Sequence, residues 1–319
     1  MQEEKASAML LSGVPSPAAT TYFADVENAG EMARLLKQAR FATKGLGGLF
    51  PHHLDISDVH DVLDLACGPG EWALAVAEAY PAICVTGVDK SETMIQFARA
   101  ISGAVRIAHF QVGDALLPFA FPDESFDLIH ARFIAGFMPT KAWPKLLAEC
   151  YRLLRPGGVL LLVEGEMAMT TSPAVDQLSR FFTQALSAVG QSFLPDSRLL
   201  GITPMLRKLL ADSGFTSCQY EAAAMEHSAG TEFHTCLYED YYVAFHLMQP
   251  FLVRAGVAGY EELIPLYNRM LEEMRADDFC SLSFALQVWG YKPQNNHRSA
   301  LEQASQGTPE PARSQGSGL

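Results

Sequence analysis

The chain has 319 residues, of which 49% are hydrophobic and 18% charged, enough to bury a substantial core and too apolar for a disordered polypeptide. Its 36 acidic side chains against 23 basic ones give a formal net charge of −13, which repels phosphate backbones and argues against a nucleic-acid partner. His246, Gln249, Pro250 and Arg254 break the most apolar late stretch, and Ala8 to Leu11 is too short for a signal peptide, so no membrane insertion and a cytoplasmic location are expected.

Residues 1–20, rich in Ala, Ser and Pro, and the polar stretch 294–319 read as disordered tails. Residues 21–58 read as a helical cap: Met32, Leu35, Leu36 and Ala39 repeat at helical spacing between Asn28 and Phe41. The segment Thr43 to Phe50, with glycines at 45, 47 and 48, reads as a flexible or closely approached loop that could close over a bound ligand. His52 and His53 follow it in a solvated turn after Pro51.

The most informative stretch is Val62-Leu63-Asp64-Leu65-Ala66-Cys67-Gly68-Pro69-Gly70-Glu71-Trp72-Ala73, an apolar strand ending in an acid and a glycine turn that opens a helix. Gly68-x-Gly70-x-x-Ala73 fits the dinucleotide fingerprint, in which glycines permit a tight turn and a close approach of ligand to backbone. Asp64 redirects that reading: a pyrophosphate would face a fixed carboxylate with no basic residue nearby in sequence, whereas a cation would be attracted. A second strand, Cys84 to Val88, ends in Asp89, about 20 residues past the turn, where an acid is suited to a ribose diol. A third strand near Val105 to Val112 leads to Gly113-Asp114-Ala115. A fourth runs from Phe126 to Ala131, and a helix end and turn at Leu153 to Gly158 precede a fifth, Val159 to Val163.

These four separated blocks resemble the class I S-adenosylmethionine (SAM)-dependent methyltransferases, within them the small-molecule group that includes quinone-biosynthesis C-methyltransferases. The resemblance is strong over Val59 to Glu164 and weaker to Pro293. It implies an α/β, Rossmann-like sheet of seven strands, mostly parallel with the last antiparallel, spanning 59–293. It also implies that the Asp64 to Gly70 loop, with Ala66, Cys67 and Gly68, holds the methionine part of SAM. Asp89 would bind the ribose hydroxyls, with Lys90 and Met94 beside it, Asp114 and Ala115 would meet the adenine, and Ala131 would complete the cofactor set.

Beyond the fifth strand, Gly201 to Gly214 reads as a helix, Phe215 to about Ala224 as extended and Leu282 to Tyr291 as the final strand. Segments 172–200 and 231–278 remain as helical lid pieces. In the second, His234, Tyr238, Tyr241, Tyr242 and Phe245 fall on one helix face, either a pocket wall or a core stripe. Candidate acid-base or orienting groups are His130, Glu164, His234 and Tyr241, with Arg132, Glu166 and His227 as further possibilities. His130-Ala131-Arg132-Phe133 stands where amino-methyltransferases of nucleobases or glutamine carry Asn/Asp-Pro-Pro-Tyr/Phe. The expected reaction is therefore methyl transfer to oxygen or carbon of a small, partly apolar or aromatic metabolite, with nitrogen open. Another SAM reaction, such as aminopropyl transfer, and a non-catalytic SAM-binding role are the alternatives. The six cysteines lack Cys-x-x-Cys spacing and the histidines a His-Glu-x-x-His pattern, so no metal is expected, and a homodimer is left open.

Overall fold

A computed structural model describes residues 22–25, 28–103, 107–194 and 199–294. The first described helix, α1 (Ala29–Gly45), starts where the Asn28 side chain accepts from the Gly30 backbone. Strands and helices then alternate: β1 (Asp61–Leu65), α2 (Glu71–Ala79), β2 (Cys84–Asp89), α3 (Glu92–Ser102), β3 (Ala108–Val112), β4 (Phe126–Arg132), α4 (Trp143–Leu153) and β5 (Leu154–Gly165). After a short β6 (Met169–Thr170) come α5 (Pro173–Ala188), α6 (Leu206–Asp212) and β7 (Thr216–Glu226). Three helices, α7 (His234–Leu247), α8 (Gln249–Arg254) and α9 (Tyr260–Glu273), precede β8 (Ser281–Tyr291).

The sheet order is β3-β2-β1-β4-β5-β8, with β7 on β8 as well. Strands β1 to β5 are parallel, and β8 runs antiparallel to β5 and β7. The chain reverses its winding between β1 and β4, and in open α/β sheets ligands bind beyond the carboxyl ends at that switch. Side chains alternate across the sheet. Leu63, Leu65, Ile129 and Leu162 face Trp143 and Leu147 of α4, while Val62, Leu128, Leu161 and Val163 share a core with Trp72 and Trp289. Burial on both faces explains the nearly continuous apolar runs of β1, β4 and β5.

The sheet has eight strands rather than seven. The additional β6 pairs with Leu282 and Ser281, ahead of the Ala285–Tyr291 stretch that pairs with β5. Two residues are too few to show a periodicity in sequence. Of the two readings of segment 43–50, close approach is the one found: α1 continues through Gly45, Leu46 and Phe50 are buried, a Cβ at Gly47 would stand 2.8 Å from the His52 ring, and Trp72 Nε1 donates to the Leu49 carbonyl at 3.2 Å. The third strand begins at Ala108, and Val105 lies outside the described residues, as do both expected tails apart from Gln294. No helix among the described residues is long and apolar enough to cross a membrane.

Candidate functional site

The carboxyl ends of β1, β2, β3, β4 and β5 open onto one cavity of about 390 Å³, closed from the other side by α1, α5 and α7. Asp64 is buried at the end of β1, and its Oδ1 lies 2.8 Å from Nδ1 of His130 on β4. A carboxylate only accepts, so the shared proton sits on Nδ1. His130 is stacked on Trp72, ring centroids 3.7 Å apart, and its burial holds the imidazole below its usual pKa and therefore neutral.

The turn after β1 is backbone-strained where it meets the cavity. Ala66 has φ of 53°, costly for a residue with a Cβ. Gly68 has φ of 54°, and a Cβ there would meet nothing within 4 Å, so its missing side chain faces open cavity. Gly70 (φ 83°) serves a different need: a Cβ there would stand 2.7 Å from the Phe110 ring and 2.9 Å from Ala98. It permits packing of α2 on the sheet and does not line the cavity.

Asp89 is anchored through both oxygens. Gly68 N–H donates to Oδ2 at 2.9 Å and Ser91 N–H to Oδ1 at 2.8 Å, while burial pushes the carboxyl above its usual pKa. Asp114 Oδ1 accepts from Leu116 N–H at 2.9 Å. Asp64, Ala66, Cys67, Gly68, Asp89, Lys90, Met94, Asp114 and Ala115 all line the cavity. Ala131 does not. It is buried between Leu65 of β1 and Leu162 of β5 and belongs to the core.

Glu164, at the end of β5, is buried in the cavity wall. Its Oε1 accepts from the Ile134 and Ala135 N–H groups at 2.8 and 3.1 Å, and burial pushes its pKa up to about 8. Glu166 is spent on structure, accepting from Leu200, Gly201 and Thr203. His227 lines the cavity with Nε2 2.7 Å from Ser283 Oγ. Arg132 lines it too, donating to Thr43 Oγ1 at 3.1 Å, so the basic residue that β1 and its turn lack in sequence is supplied by β4.

The aromatic stripe of α7 divides. Tyr241 and Phe245 are buried on the cavity wall, whereas Tyr242 is 49% exposed. His234 stands outside the cavity with Nε2 2.7 Å from the Met274 carbonyl, which removes it from the acid-base candidates. The cavity face of α7 is Leu237, Asp240, Tyr241, Ala244 and Phe245, continued by Met248 just past its end, a stripe rotated from the aromatic one. With Phe23, Phe137 and Phe182 it makes an apolar chamber next to the acidic rim. One corner of that chamber is charged: Arg34 donates twice to Glu31 and, at 2.7 Å, to Asp240 Oδ1, and Tyr22 donates to Glu31.

The site fits SAM on its own geometry. Three acids edge a cavity for a sulfonium and an ammonium, and the turn leaves a void at Gly68 where ligand can lie against backbone. The methyltransferase domain family matches residues 62–158, the stretch that supplies most of this rim. Residues 62–158 carry a methyltransferase domain. A demethylmenaquinone methyltransferase of Deinococcus radiodurans is 40% identical over 105 residues, 32% of this chain and 42% of that protein. Methyltransferase str3 of Strobilurus tenacellus is 33% identical over 150 residues, 46% of this chain and 50% of that protein. The chain thus spans about half the length of the curated relatives it matches. In fold, the domain superposes on a chain from the complex between the Haloferax volcanii Trm112 methyltransferase activator and a methyltransferase. The TM-score is 0.51 at 18% identity, over 83% of this chain and 95% of that one.

Several wall residues were not singled out from sequence. Trp72 was seen only as part of the turn, and Phe23, Arg34, Phe137, Phe182 and Asp240 carry no motif. Arg34 and Asp240 are 206 residues apart, and only the fold joins them.

Proposed function

We propose that this chain transfers a methyl group from SAM to oxygen or carbon of a small, partly apolar or aromatic metabolite. The observation that carries the reading is the continuity of one cavity, acidic at the ends of β1 to β3 and apolar between β5, α1, α5 and α7. When bound, SAM supplies a methyl made electrophilic by the sulfonium.

The chain's own residues then have four tasks. The strained turn at Ala66 and Gly68 offers backbone to the methionine part, and Asp89 and Asp114 take the ribose and adenine. Phe137, Phe182, Leu237 and Phe245 hold the acceptor and keep water from the reacting atoms, so proximity supplies much of the acceleration. Glu164 is the candidate base: Oε1 is held by two backbone N–H groups, which leaves Oε2 to take the acceptor's proton. Tyr241, whose hydroxyl meets the backbone at Ala168, orients a polar acceptor atom. Segments 172–200 and 231–278 act as the lid. Free thiols at all six cysteines and the absence of a spanning helix among the described residues fit a cytoplasmic enzyme. Light scattering of the purified chain tests the homodimer.

Incubation with isotopically labelled SAM and metabolite extracts tests the function. A product heavier by one methyl, formed together with S-adenosylhomocysteine, is the expected result. SAM binding without turnover on any extract, or a product carrying an aminopropyl group, would sink it.

A further inference from the structure

The last residue of β4 is a cation with an unmet need. Arg132 lines the cavity, packs 5.9 Å from the centre of the Phe133 ring and donates to one neutral acceptor, Thr43 Oγ1. It makes no ion pair among the described residues. The carboxylates whose charge it feels have other partners: Asp64 is bonded to His130, and Glu71 to Arg40. A guanidinium has five N–H donors; half-buried, with the charges of Asp64 and Glu71 within reach but no ion pair to either, Arg132 keeps donors for an anionic ligand group.

Its place in the sheet says what that ligand group is. In the order β3-β2-β1-β4, the strand ends present Asp114, Asp89, Asp64 and Arg132 along one rim, neighbouring strands being about 4.8 Å apart. A ligand laid along this rim meets three acids and then a cation. SAM has a matching order: adenine, ribose, the sulfonium, and an amino-acid end whose one α-carbon carries an ammonium for Asp64 and a carboxylate for a cation. We propose that Arg132 pairs with the carboxylate at the amino-acid end of SAM, so that the site discriminates against decarboxylated SAM. The inference rests on the cavity being the SAM site. It bears on the reaction as well, because aminopropyl transfer consumes the decarboxylated form.

Calorimetric titration of SAM and of decarboxylated SAM into the wild type and into Arg132→Gln separates the possibilities. Glutamine keeps a donor for Thr43, and melting curves establish that the variant is folded. The wild type is expected to bind SAM about tenfold or more tighter than the decarboxylated form. Arg132→Gln is expected to weaken SAM by a similar factor and to leave the decarboxylated form within about twofold. Equal losses for both ligands would make Arg132 a structural residue and overturn the proposal. Unchanged SAM affinity would overturn it too. If Arg132→Gln does not fold, Arg132→Lys carries the test: its loss must again be confined to SAM. Failure of the wild type to bind SAM at all is a separate result, which would remove the cofactor reading on which the proposal stands.

Discussion

At the scale of single residues, Asp89 joins ligand recognition to local folding. Its carboxylate accepts from Gly68 and Ser91 backbone, so Asp89→Ala would orphan two donors as well as any ribose contact. Asp89→Asn keeps the shape and one acceptor; it should fold and bind SAM about tenfold to a hundredfold weaker by calorimetry, and unchanged affinity would take Asp89 out of the site. The two glycines of the turn should part company. Gly70→Val drives side-chain atoms into Phe110 and Ala98 and should abolish folding, whereas Gly68→Ala, strained at its positive φ but meeting no atom, should lose SAM while still melting cooperatively at a lowered temperature. Both glycines were legible from sequence as a turn, but their separate reasons were not, because Phe110 comes 40 positions later on β3. Glu164 gives a pH signature. Its pKa rises from an ordinary carboxyl value to about 8 on folding, so the folded state holds the proton more tightly. That contribution to stability is complete below the unfolded pKa and is lost as pH rises through 8. Glu164→Gln should therefore gain on the wild type in melting temperature between pH 5 and pH 9. If Glu164 is the base, wild-type kcat/KM should climb towards a plateau above pH 8 and the variant should lack that climb; parallel profiles would return Glu164 to a purely structural part.

At the scale of elements, α1 and α7 are held together over the cavity by charge. Arg34 bridges the buried Glu31 and the partly buried Asp240, Lys37 pairs with Glu239 at the surface, and Lys44 pairs with Glu232 just ahead of α7. These pairs differ in kind. Arg34→Met leaves the buried Glu31 and the partly buried Asp240 without their cation and should cost about 3 kcal/mol in chemical denaturation, while Lys37→Ala should fall within about 0.5 kcal/mol. Equal effects would mean that burial of Arg34 is not what matters. The same pair of helices shows where sequence reading stops. The spacing of Met32, Leu35, Leu36 and Ala39 disclosed α1, yet its end was misjudged because Gly45 lies inside the last turn and the sharp glycines, 47 and 48, come after it. On α7 the aromatic residues read as either a pocket wall or a core stripe, whereas the face towards the cavity is centred on Leu237, Tyr241, Ala244 and Phe245. Rings are amphipathic and settle at boundaries: Tyr242 faces solvent while its carbonyl accepts from Tyr267, and His234 seals a loop through Met274. A single helix carries no signal for which side the sheet will occupy.

At the scale of the whole molecule, the sequence blocks that were legible lie on the β1 to β5 half, where strand, turn and acid follow one another within short stretches. The acceptor side was not legible, because its wall is assembled from α1, α5, α7 and the end of β5, far apart in the chain. This division predicts how the molecule responds to ligand. S-adenosylhomocysteine touching only the rim would tighten the turn from Asp64 to Gly68 and the ends of β2 and β3. In the structure, however, the cavity is one space, and α1 and α7 close it through Phe41, Ala42, Tyr241 and Phe245. A ligand that binds the folded state alone stabilises it by RT ln(1 + [L]/Kd), about 2.7 kcal/mol at a hundredfold excess over Kd. Part of that should appear as slower local opening of the helices that depend on the cavity being filled. Hydrogen exchange with and without saturating S-adenosylhomocysteine should therefore show protection in the Asp64 to Gly68 turn and also in α1 and α7, with α6, no residue of which lines the cavity, unaffected. Protection confined to the turn and the ends of β2 and β3 would mean that the helices form a separate, ligand-indifferent layer and would remove 231–278 from the proposed lid. Protection in α1 and α7 that also disappears in Arg34→Met would tie their closure to the buried ion pair between them.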